Sequence, residues 1–309
     1  MKLLSSKFIT LLLVIFVITA CSSNEQTEGT PETNEEISSY VNNELLVSVE
    51  WLKENVNSEG ILILDARGEE EYAKGHIPGS MPVSWQQFSK MDGGPGEVDW
   101  GVVLDAPQLS ERLSTIGVSS DKTIVVYGNP NSWGEDGRVI WMLQTAGIQA
   151  KMLNGGWTAW EATEEVSKES TVPEASNFNV EELDLTYFAS TEWLSENYEN
   201  LVVIDTRTEK EFNGATDFGE ARGGHIPGAV NLPFKELYNH DSTIKSQVDI
   251  EQVMEGIGIT KDDTIVTYCT AGIRSAHMTL LLNMAGYENV KNYDASIYEW
   301  ANNDTLPLD

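Results

Sequence analysis

The chain contains two copies of one sequence unit, offset by about 140 residues, and this repetition restricts the fold more than any other feature. The first copy carries the blocks 51-WLKEN-55, 61-ILILDAR-67, 76-HIPGS-80, 109-LSERLSTIGVSSDKTIVVY-127 and 146-AG-147. The second copy carries 193-WLSEN-197, 201-LVVIDTR-207, 225-HIPGA-229, 253-VMEGIGITKDDTIVTY-268 and 285-AG-286 in the same order. A length of 309 residues suffices for two domains of ordinary size, so each copy is expected to fold as one domain.

Within each copy, short apolar runs alternate with segments of helical periodicity. ILILD and TIVVY in the first copy, like LVVID and TIVTY in the second, are typical of strands buried on both faces. Strands that alternate with helices predict an α/β fold, in which a mostly parallel central sheet has helices on both faces. We expect a first domain over 43–163, a polar linker over 164–184 and a second domain over 185–309.

The N-terminus reads as an export signal over residues 1–20. Lys2 and Lys7 precede an apolar run that ends in 18-ITAC-21, a pattern that resembles the lipobox of bacterial lipoproteins. That resemblance implies cleavage before Cys21, a lipid on its thiol, and a flexible acidic tether over 21–42. The expected location is the extracytoplasmic face of a bacterial cell membrane, to which the N-terminal lipid anchors the protein.

Charge and cysteine content restrict the partners. A formal net charge of −30 argues against binding to nucleic acid or to anionic lipid surfaces. The chain has two cysteines, so lipidation of Cys21 would leave Cys269 without a disulfide partner in its own chain. Four scattered histidines and one free thiol show no metal-ligand spacing, and no cofactor is expected.

The repeated motifs resemble those of two-domain rhodanese-type sulfurtransferases over about residues 43–309. The resemblance rests on the Asp-x-Arg pairs, the His-Ile-Pro-Gly turns, the Cys-x-x-Gly-x-Arg loop of 269–274, 154-NGGW-157 and 293-YDASIYEW-300. It implies transfer of sulfane sulfur from thiosulfate, or from mercaptopyruvate, to cyanide or a thiol. It also implies that the second domain is catalytic. The first copy agrees with this, because Gly128 stands where the second copy has Cys269 and a longer segment, 129-NPNSWGEDGR-138, follows it.

The loop that begins at Cys269 is predicted to hold a thiolate. A tight turn at a helix start points successive N–H groups inward, the helix adds its positive end, and Arg274 adds a cation. Gly272 allows the chain to curl. Cys269 is thus the predicted nucleophile, and the predicted substrate-binding residues are Thr270, Ala271, Gly272, Ile273, Arg274 and Ser275. Arg222 joins them by resemblance, because family members often carry a substrate-binding arginine before the His-Ile-Pro-Gly turn.

Three further motif residues are predicted to be structural. Asp205, Arg207 and His225 have counterparts in Asp65, Arg67 and His76, which belong to the copy without a thiol. Trp133 is most simply a core residue of the first copy, although Trp133 or Asn131 could instead line a cleft between the domains. Thr270 occupies a position where thiosulfate-preferring tandem members often carry a cation, so the donor stays open.

Three other functions share parts of this sequence pattern. A cysteine phosphatase usually places five residues between Cys and Arg, whereas four lie between Cys269 and Arg274. A sulfur carrier that does not turn over would use the same loop chemistry. A redox-buffering or scaffold role would survive the loss of Cys269.

Overall fold

Each copy of the repeat forms a five-stranded parallel sheet in the computed structural model, which describes residue 37 and residues 39–309. The spatial order in the first sheet is β1-β5-β4-β2-β3, and its strands are Leu46–Val47 (β1), Ile61–Asp65 (β2), Met81–Pro82 (β3), Thr123–Tyr127 (β4) and Ala150–Leu153 (β5). The second sheet has the equivalent order β6-β10-β9-β7-β8, with strands Phe188–Ala189 (β6), Val202–Asp205 (β7), Val230–Asn231 (β8), Ile265–Tyr268 (β9) and Val290–Tyr293 (β10). The predicted α/β fold class is confirmed.

The strands of the two sheets pair in the same register, so equivalent motif residues occupy equivalent positions. Asp65 at the end of β2 lies opposite Tyr127 on β4, and Asp205 at the end of β7 lies opposite Tyr268 on β9. Both central strands are buried, because helices cover both faces of each sheet. The carboxyl ends of these strands therefore carry equivalent groups in the two copies.

Ten α-helices connect the strands in the described part of the chain. Those of the first copy are Val49–Asn55 (α1), Glu69–Lys74 (α2), Ala106–Thr115 (α3), Glu135–Thr145 (α4) and Gly156–Thr163 (α5). Those of the second are Thr191–Asn197 (α6), Glu209–Phe212 (α7), Gln247–Gly256 (α8), Ile273–Met284 (α9) and Ser296–Asn302 (α10). No helix within residues 37 and 39–309 combines the length and the apolar character that crossing a membrane requires.

The two copies pack through α4 and α9 and exchange equivalent hydrogen bonds. Asn154, directly after β5, accepts from the Ile244 N–H at 2.9 Å, and Asp294, directly after β10, accepts from the Val103 N–H at 2.9 Å. The Arg138 guanidinium of α4 is buried, ion-pairs with Asp294 and donates to the Gly272 carbonyl at 3.2 Å. The loop after β9 is thus held partly by the first copy.

The segments outside the repeat are only partly described. The predicted signal segment 1–20 and Cys21 lie outside the described residues, as does most of the predicted tether 21–42. At its described end, Ile37 and Tyr40 are buried, and the Asn42 N–H donates to the Met284 carbonyl at 3.2 Å. This end of the predicted tether is therefore packed rather than flexible, because apolar side chains anchor it to the core.

Candidate active site

Cys269 lies in the short loop between β9, which ends at Tyr268, and α9, which begins at Ile273, and its side chain is only 1% exposed. Gly272, which caps α9, has a φ of +77°, in the left-handed region that favours glycine. A β-carbon there would stand 2.3 Å from the Asp294 carbonyl oxygen. The loop conformation therefore depends on glycine at this position, as the sequence predicted.

The Cys269 thiol is surrounded by groups that favour its ionised form. Ser275 Oγ lies 3.6 Å from Cys269 Sγ and 2.6 Å from Asn292 Oδ1, so the amide of Asn292 fixes the hydroxyl beside the sulfur. Burial by itself raises the pKa of the thiol. The charge of Arg274 and hydrogen bonds from the Ser275 and Ala271 N–H groups outweigh burial and leave the pKa of Cys269 below its ordinary value.

Arg274 reaches the site as half of a buried ion pair with Glu211 of α7. Its guanidinium donates to the two Glu211 carboxylate oxygens at 2.9 and 2.7 Å and to the Thr270 hydroxyl at 2.6 Å. Burial would raise the pKa of Glu211, but the hydrogen bonds and charge of Arg274 lower it to about 2. Glu211 was not anticipated from the sequence, where Thr208-x-x-Glu211 is a capping box that indicates only a helix start.

A cavity of about 190 Å³ opens above Cys269 between the two copies. Aromatic side chains from both copies form most of its wall, and the loop forms its base: Trp85, Trp100, Trp133, Phe218, Tyr298, Cys269, Thr270, Ala271, Ile273 and Arg274. The first copy contributes three tryptophans although it carries no thiol. The sulfur is therefore buried in the protein but lies at the base of a pocket.

Trp133 belongs to the cleft rather than to the core of the first copy, which decides between the two interpretations that the sequence left open. It is 42% exposed, and its ring lies 4.9 Å from Arg274 Cζ and 5.2 Å, edge to face, from the ring of Phe218. Asn131 lines a neighbouring polar cavity together with Trp133 and Arg274. The segment 129–138, which replaces the thiol loop in the first copy, thus supplies a wall of the pocket in the second.

The structure does not bring Arg222 to this cavity. Its guanidinium donates to the backbone carbonyls of the C-terminal segment, namely Trp300, Ala301, Asn303 and Leu306, at 2.7 to 3.1 Å. These bonds use four of its five N–H donors and hold the side chain against the C-terminal segment, which is the physical reason that Arg222 does not line the cavity. Arg222 ties down the chain after α10 instead.

Asp205 and Arg207 form a buried ion pair beside the strand end. Arg207 donates to Asp205 Oδ2 at 2.6 Å and to the Gly224 carbonyl at 2.8 Å, and the Tyr268 hydroxyl donates to Asp205 at 2.7 Å. His225 stacks on Phe212, with ring centroids 3.7 Å apart. The first copy repeats both arrangements, since Arg67 pairs with Asp65 and His76 stacks on Tyr72. These groups therefore connect the strand end to the turn in both copies, and their structural role stays a prediction.

No group of three or more His, Cys, Asp or Glu side chains within the described ranges could hold a metal ion. The chemistry that this arrangement offers is that of a thiolate at the base of a pocket, with N–H donors and one cation beside it. Such a sulfur can attack another sulfur atom and hold it as a persulfide.

Comparison with known proteins agrees with the geometry. The model of the rhodanese-like domain family matches residues 48–163 and 190–303. The chain is 31% identical over 291 residues to the sulfur carrier protein TtuD of Thermus thermophilus, covering 87% of this chain and 98% of that protein. It is 29% identical over 286 residues to a thiosulfate sulfurtransferase of Corynebacterium glutamicum, covering 87% and 92%.

Among solved structures, the chain is similar to the anaerobic ergothioneine biosynthesis enzyme from Chlorobium limicola, solved in complex with trimethyl histidine. The TM-score is 0.77 at 20% identity, and the match covers 86% of this chain and 70% of that one. At this identity the likeness concerns the fold, which the two chains share over both repeats.

Proposed function

This chain belongs to the rhodanese family, and from that premise we propose that it transfers sulfane sulfur through a persulfide on Cys269. Its relatives include proteins named thiosulfate sulfurtransferase, and rhodanese-like domains support sulfur transfer as the general activity. The observation that carries the proposal is the placement of Cys269 Sγ, buried at the base of the cavity beside Arg274 with a lowered thiol pKa.

The first half-reaction takes sulfur from a donor, for which thiosulfate is our proposal. The Cys269 thiolate attacks the outer sulfur of thiosulfate, a bond forms between the two sulfurs, and the bond to the sulfonate sulfur breaks. Sulfite leaves with the electron pair, and the enzyme keeps a persulfide. The N–H groups of the loop from Ala271 to Ser275 are proposed to stabilise its terminal sulfur, with Thr270 and Arg274 at the rim of the loop.

The second half-reaction returns the enzyme to its starting state. An acceptor, cyanide in an assay or a thiol in the cell, attacks the terminal sulfur of the persulfide. The bond to Cys269 breaks, and the electron pair returns to Sγ as a thiolate. No general base is required when the thiol is already ionised. Mercaptopyruvate is the alternative donor.

Mass spectrometry of peptides from the digested protein tests this proposal. After incubation with thiosulfate, the peptide that contains Cys269 should gain the mass of one sulfur atom, and cyanide should remove it with release of thiocyanate. The Cys269→Ala variant should stay unmodified while keeping its circular dichroism spectrum. A wild-type thiol that remains unmodified while a control rhodanese reacts would refute the proposal.

The name of the Thermus relative favours a second candidate, a sulfur carrier that delivers its persulfide to a partner protein. The loop would act in the same way in a carrier. Turnover separates the two: an enzyme releases many equivalents of thiocyanate per Cys269 when thiosulfate and cyanide are both in excess, whereas a carrier completes one transfer and stops.

The proposed location is the outer face of a bacterial cell membrane, through a lipid on Cys21. Only the sequence pattern 18-ITAC-21 supports this part of the proposal. Fractionation of cells that express the full chain tests it. The wild type should sediment with the membranes and the Cys21→Ala variant should not, whereas equal membrane recovery of both would exclude a lipid anchor at this position.

A further inference from the structure

The polar cavity that adjoins the pocket above Cys269 indicates which acceptor the protein uses. We infer that it binds the negatively charged end of a small peptide-like thiol, with Lys235 as the cation that receives the carboxylate. The inference rests on the proposed persulfide at Cys269 and specifies the second substrate of that reaction. It leaves the donor where the proposed function puts it, in the first cavity beside Arg274.

The polar cavity lies where strand ends of the two copies meet. It measures about 500 Å³, which is within the range of about 300 to 1,000 Å³ that small-molecule sites occupy. The segments after β4, β7 and β8 and the start of α9 line it, and its neutral polar side chains are Asn129, Asn131, Ser132, Thr206 and Thr208. Parallel sheets bind ligands at the carboxyl ends of their strands, so this is the position of a substrate site.

The polar cavity and the pocket above Cys269 adjoin at two shared side chains. Trp133 and Arg274 line both of them, and the Trp133 ring lies 4.9 Å from Arg274 Cζ. Cys269 belongs to the lining of the first cavity and Lys235 to the lining of the second. An acceptor whose sulfur is at Cys269 can therefore extend past Trp133, with its charged end in the polar cavity.

The charges of the polar cavity favour an anion. Among the described residues that line it, the charged ones are Lys235 and Arg274, and none is acidic. Glu211 already pairs with Arg274, whereas Lys235 forms no ion pair within the described part of the chain. Lys235 Nζ donates to the Asn131 carbonyl at 2.9 Å, which uses one of its three N–H donors and leaves two for a ligand. In a chain with 49 acidic and 19 basic residues, a lysine without an acidic neighbour in its cavity is a local site of positive potential.

Hydrogen bonds fix the wall that the first copy contributes. The Asn131 N–H donates to Asn129 Oδ1 at 2.9 Å. The Ser132 hydroxyl donates to one Glu135 carboxylate oxygen at 2.7 Å, and the Trp133 N–H donates to the other at 3.1 Å. Glu135 is outside the lining and uses both oxygens on this segment. The wall thus presents amide and hydroxyl groups in fixed positions, where they can hydrogen-bond to the amides of a peptide-like acceptor.

The acceptor takes the sulfur without any further reagent. Its thiolate attacks the terminal sulfur of the Cys269 persulfide, and a new sulfur–sulfur bond forms on the acceptor. The bond to Cys269 breaks, and its electron pair returns to Sγ as a thiolate. The acceptor leaves as a peptide persulfide, and its carboxylate takes no part in the bond changes. The contact with Lys235 therefore acts on binding and orientation of the acceptor.

Single-turnover transfer from the loaded protein tests the inference with matched peptide thiols. The probes are N-acetyl-Cys-Gly and N-acetyl-Cys-Gly-Gly, each as the free acid and as the C-terminal amide. Loading of Cys269 is first verified by mass, and a failure at this stage counts against the proposed function rather than against the acceptor site. After correction for the ionised fraction of each thiol, the acid should react about three- to fivefold faster than its amide, at low concentration and low salt, for at least one of the two lengths. Equal rates or a faster amide at both lengths would overturn the inference.

The variant Lys235→Gln connects this preference to the polar cavity. The ratio of the acid rate to the amide rate should fall towards one in Lys235→Gln, and Lys235→Arg should keep most of the wild-type ratio because it keeps the cation. Lys168→Gln removes the same charge at an exposed lysine that does not line the cavity, so it is the matched control and should keep the wild-type ratio. An unchanged ratio in Lys235→Gln, or an equal fall in Lys168→Gln, would show that Lys235 does not receive the carboxylate.

Discussion

The carboxyl group of Asp136 fills the space that a side chain on Gly128 would need. A β-carbon on Gly128 would lie 2.8 Å from Asp136 Cγ, and Asp136 is fixed by the Gly137 N–H at 2.8 Å and by His277 Nδ1 at 3.1 Å. Gly128 follows β4 as Cys269 follows β9. A cysteine side chain at position 128 of the first copy would therefore overlap Asp136.

A thiol introduced at Gly128 should not create a second active site. In the Gly128→Cys/Cys269→Ala double variant, we expect no persulfide after incubation with thiosulfate and a lower melting temperature than in Cys269→Ala alone, because the new side chain overlaps Asp136. Mass spectrometry and thermal denaturation check both results. A sulfur adduct on the introduced thiol would show that the first copy retains a functional loop.

Arg274 should set the pKa of the nucleophile. Replacing it by Gln removes the cation that favours the thiolate and leaves the Glu211 carboxylate without its ion-pair partner, so we expect the pKa of Cys269 to rise. The midpoint of iodoacetamide alkylation against pH should move upward in Arg274→Gln. The midpoint should move less in the Arg274→Gln/Glu211→Gln double variant, because this variant also removes the unpaired Glu211 carboxylate. An unmoved midpoint in the single variant would mean that the loop N–H groups alone ionise the thiol.

The Glu211–Arg274 pair should contribute stability that is lost in acid. The pKa of Glu211 is about 2 in the folded protein against 4.5 for a free side chain, so the unfolded chain binds more protons between these values. The contribution is complete above about pH 5, amounts to roughly 3 kcal/mol, and disappears as the pH falls through this range. Urea unfolding from pH 7 down to pH 3 should show a smaller loss in Glu211→Gln than in wild type. Parallel pH curves would contradict this linkage.

Replacement of Gly272 by alanine should destabilise the protein more than the same replacement of Gly258, a glycine with a similar φ but no neighbouring atoms. Gly272 and Gly258 have φ of +77° and +81°, but a β-carbon on Gly258 meets no atom within 4 Å, whereas one on Gly272 meets the Asp294 carbonyl. Gly258→Ala should lower the free energy of unfolding by about 1 kcal/mol, the cost of the left-handed conformation. Gly272→Ala should lower it by more than about 3 kcal/mol and reduce persulfide formation. Equal losses would imply that the loop can shift away from Asp294.

Asp65 and Asp205 should matter equally for stability, although only one of them lies next to a thiol loop. Each accepts from a tyrosine hydroxyl, at 2.6 Å from Tyr127 and 2.7 Å from Tyr268, and each pairs with a buried arginine. Asp65→Asn and Asp205→Asn should each lower the free energy of unfolding by about 3–5 kcal/mol, because an uncompensated buried guanidinium remains. Chemical denaturation measures both. A large loss of sulfur transfer in Asp205→Asn without loss of stability would instead point to a catalytic role.

The sequence was sufficient to predict those strands and loop positions that depend on the local order of residues. Continuous apolar runs identified β2, β4, β7 and β9, and the repeat placed Cys269 at a strand end before a helix. Comparison of the two copies also predicts a structural role for Asp205 and Arg207, since Asp65 and Arg67 are present in the copy without a thiol. The strands and the position of Cys269 could be predicted because short-range periodicity and residue spacing determine them.

The features that the sequence did not reveal depend on how distant segments meet. Glu211 contacts Arg274 only because α7 and the thiol loop lie at the same edge of the sheet, and its counterpart Glu71 is an exposed partner of Lys74. The aromatic wall joins rings that are far apart in the chain and belong to both copies. Arg222 was misplaced because the path of the chain after α10, which binds its guanidinium, has no signal in the local motif.

Because Trp133 stands on the segment that takes the place of the thiol loop in the first copy, part of the wall around Cys269 is encoded in the half of the chain that carries no thiol. The half with Cys269 must conserve its loop to keep any sulfur chemistry at all. The half without it supplies the Trp133 ring, which contacts Arg274 and Phe218 at the pocket. Substitutions at Trp85, Trp100 or Trp133 would therefore change the wall of the pocket without changing the sequence of the thiol loop.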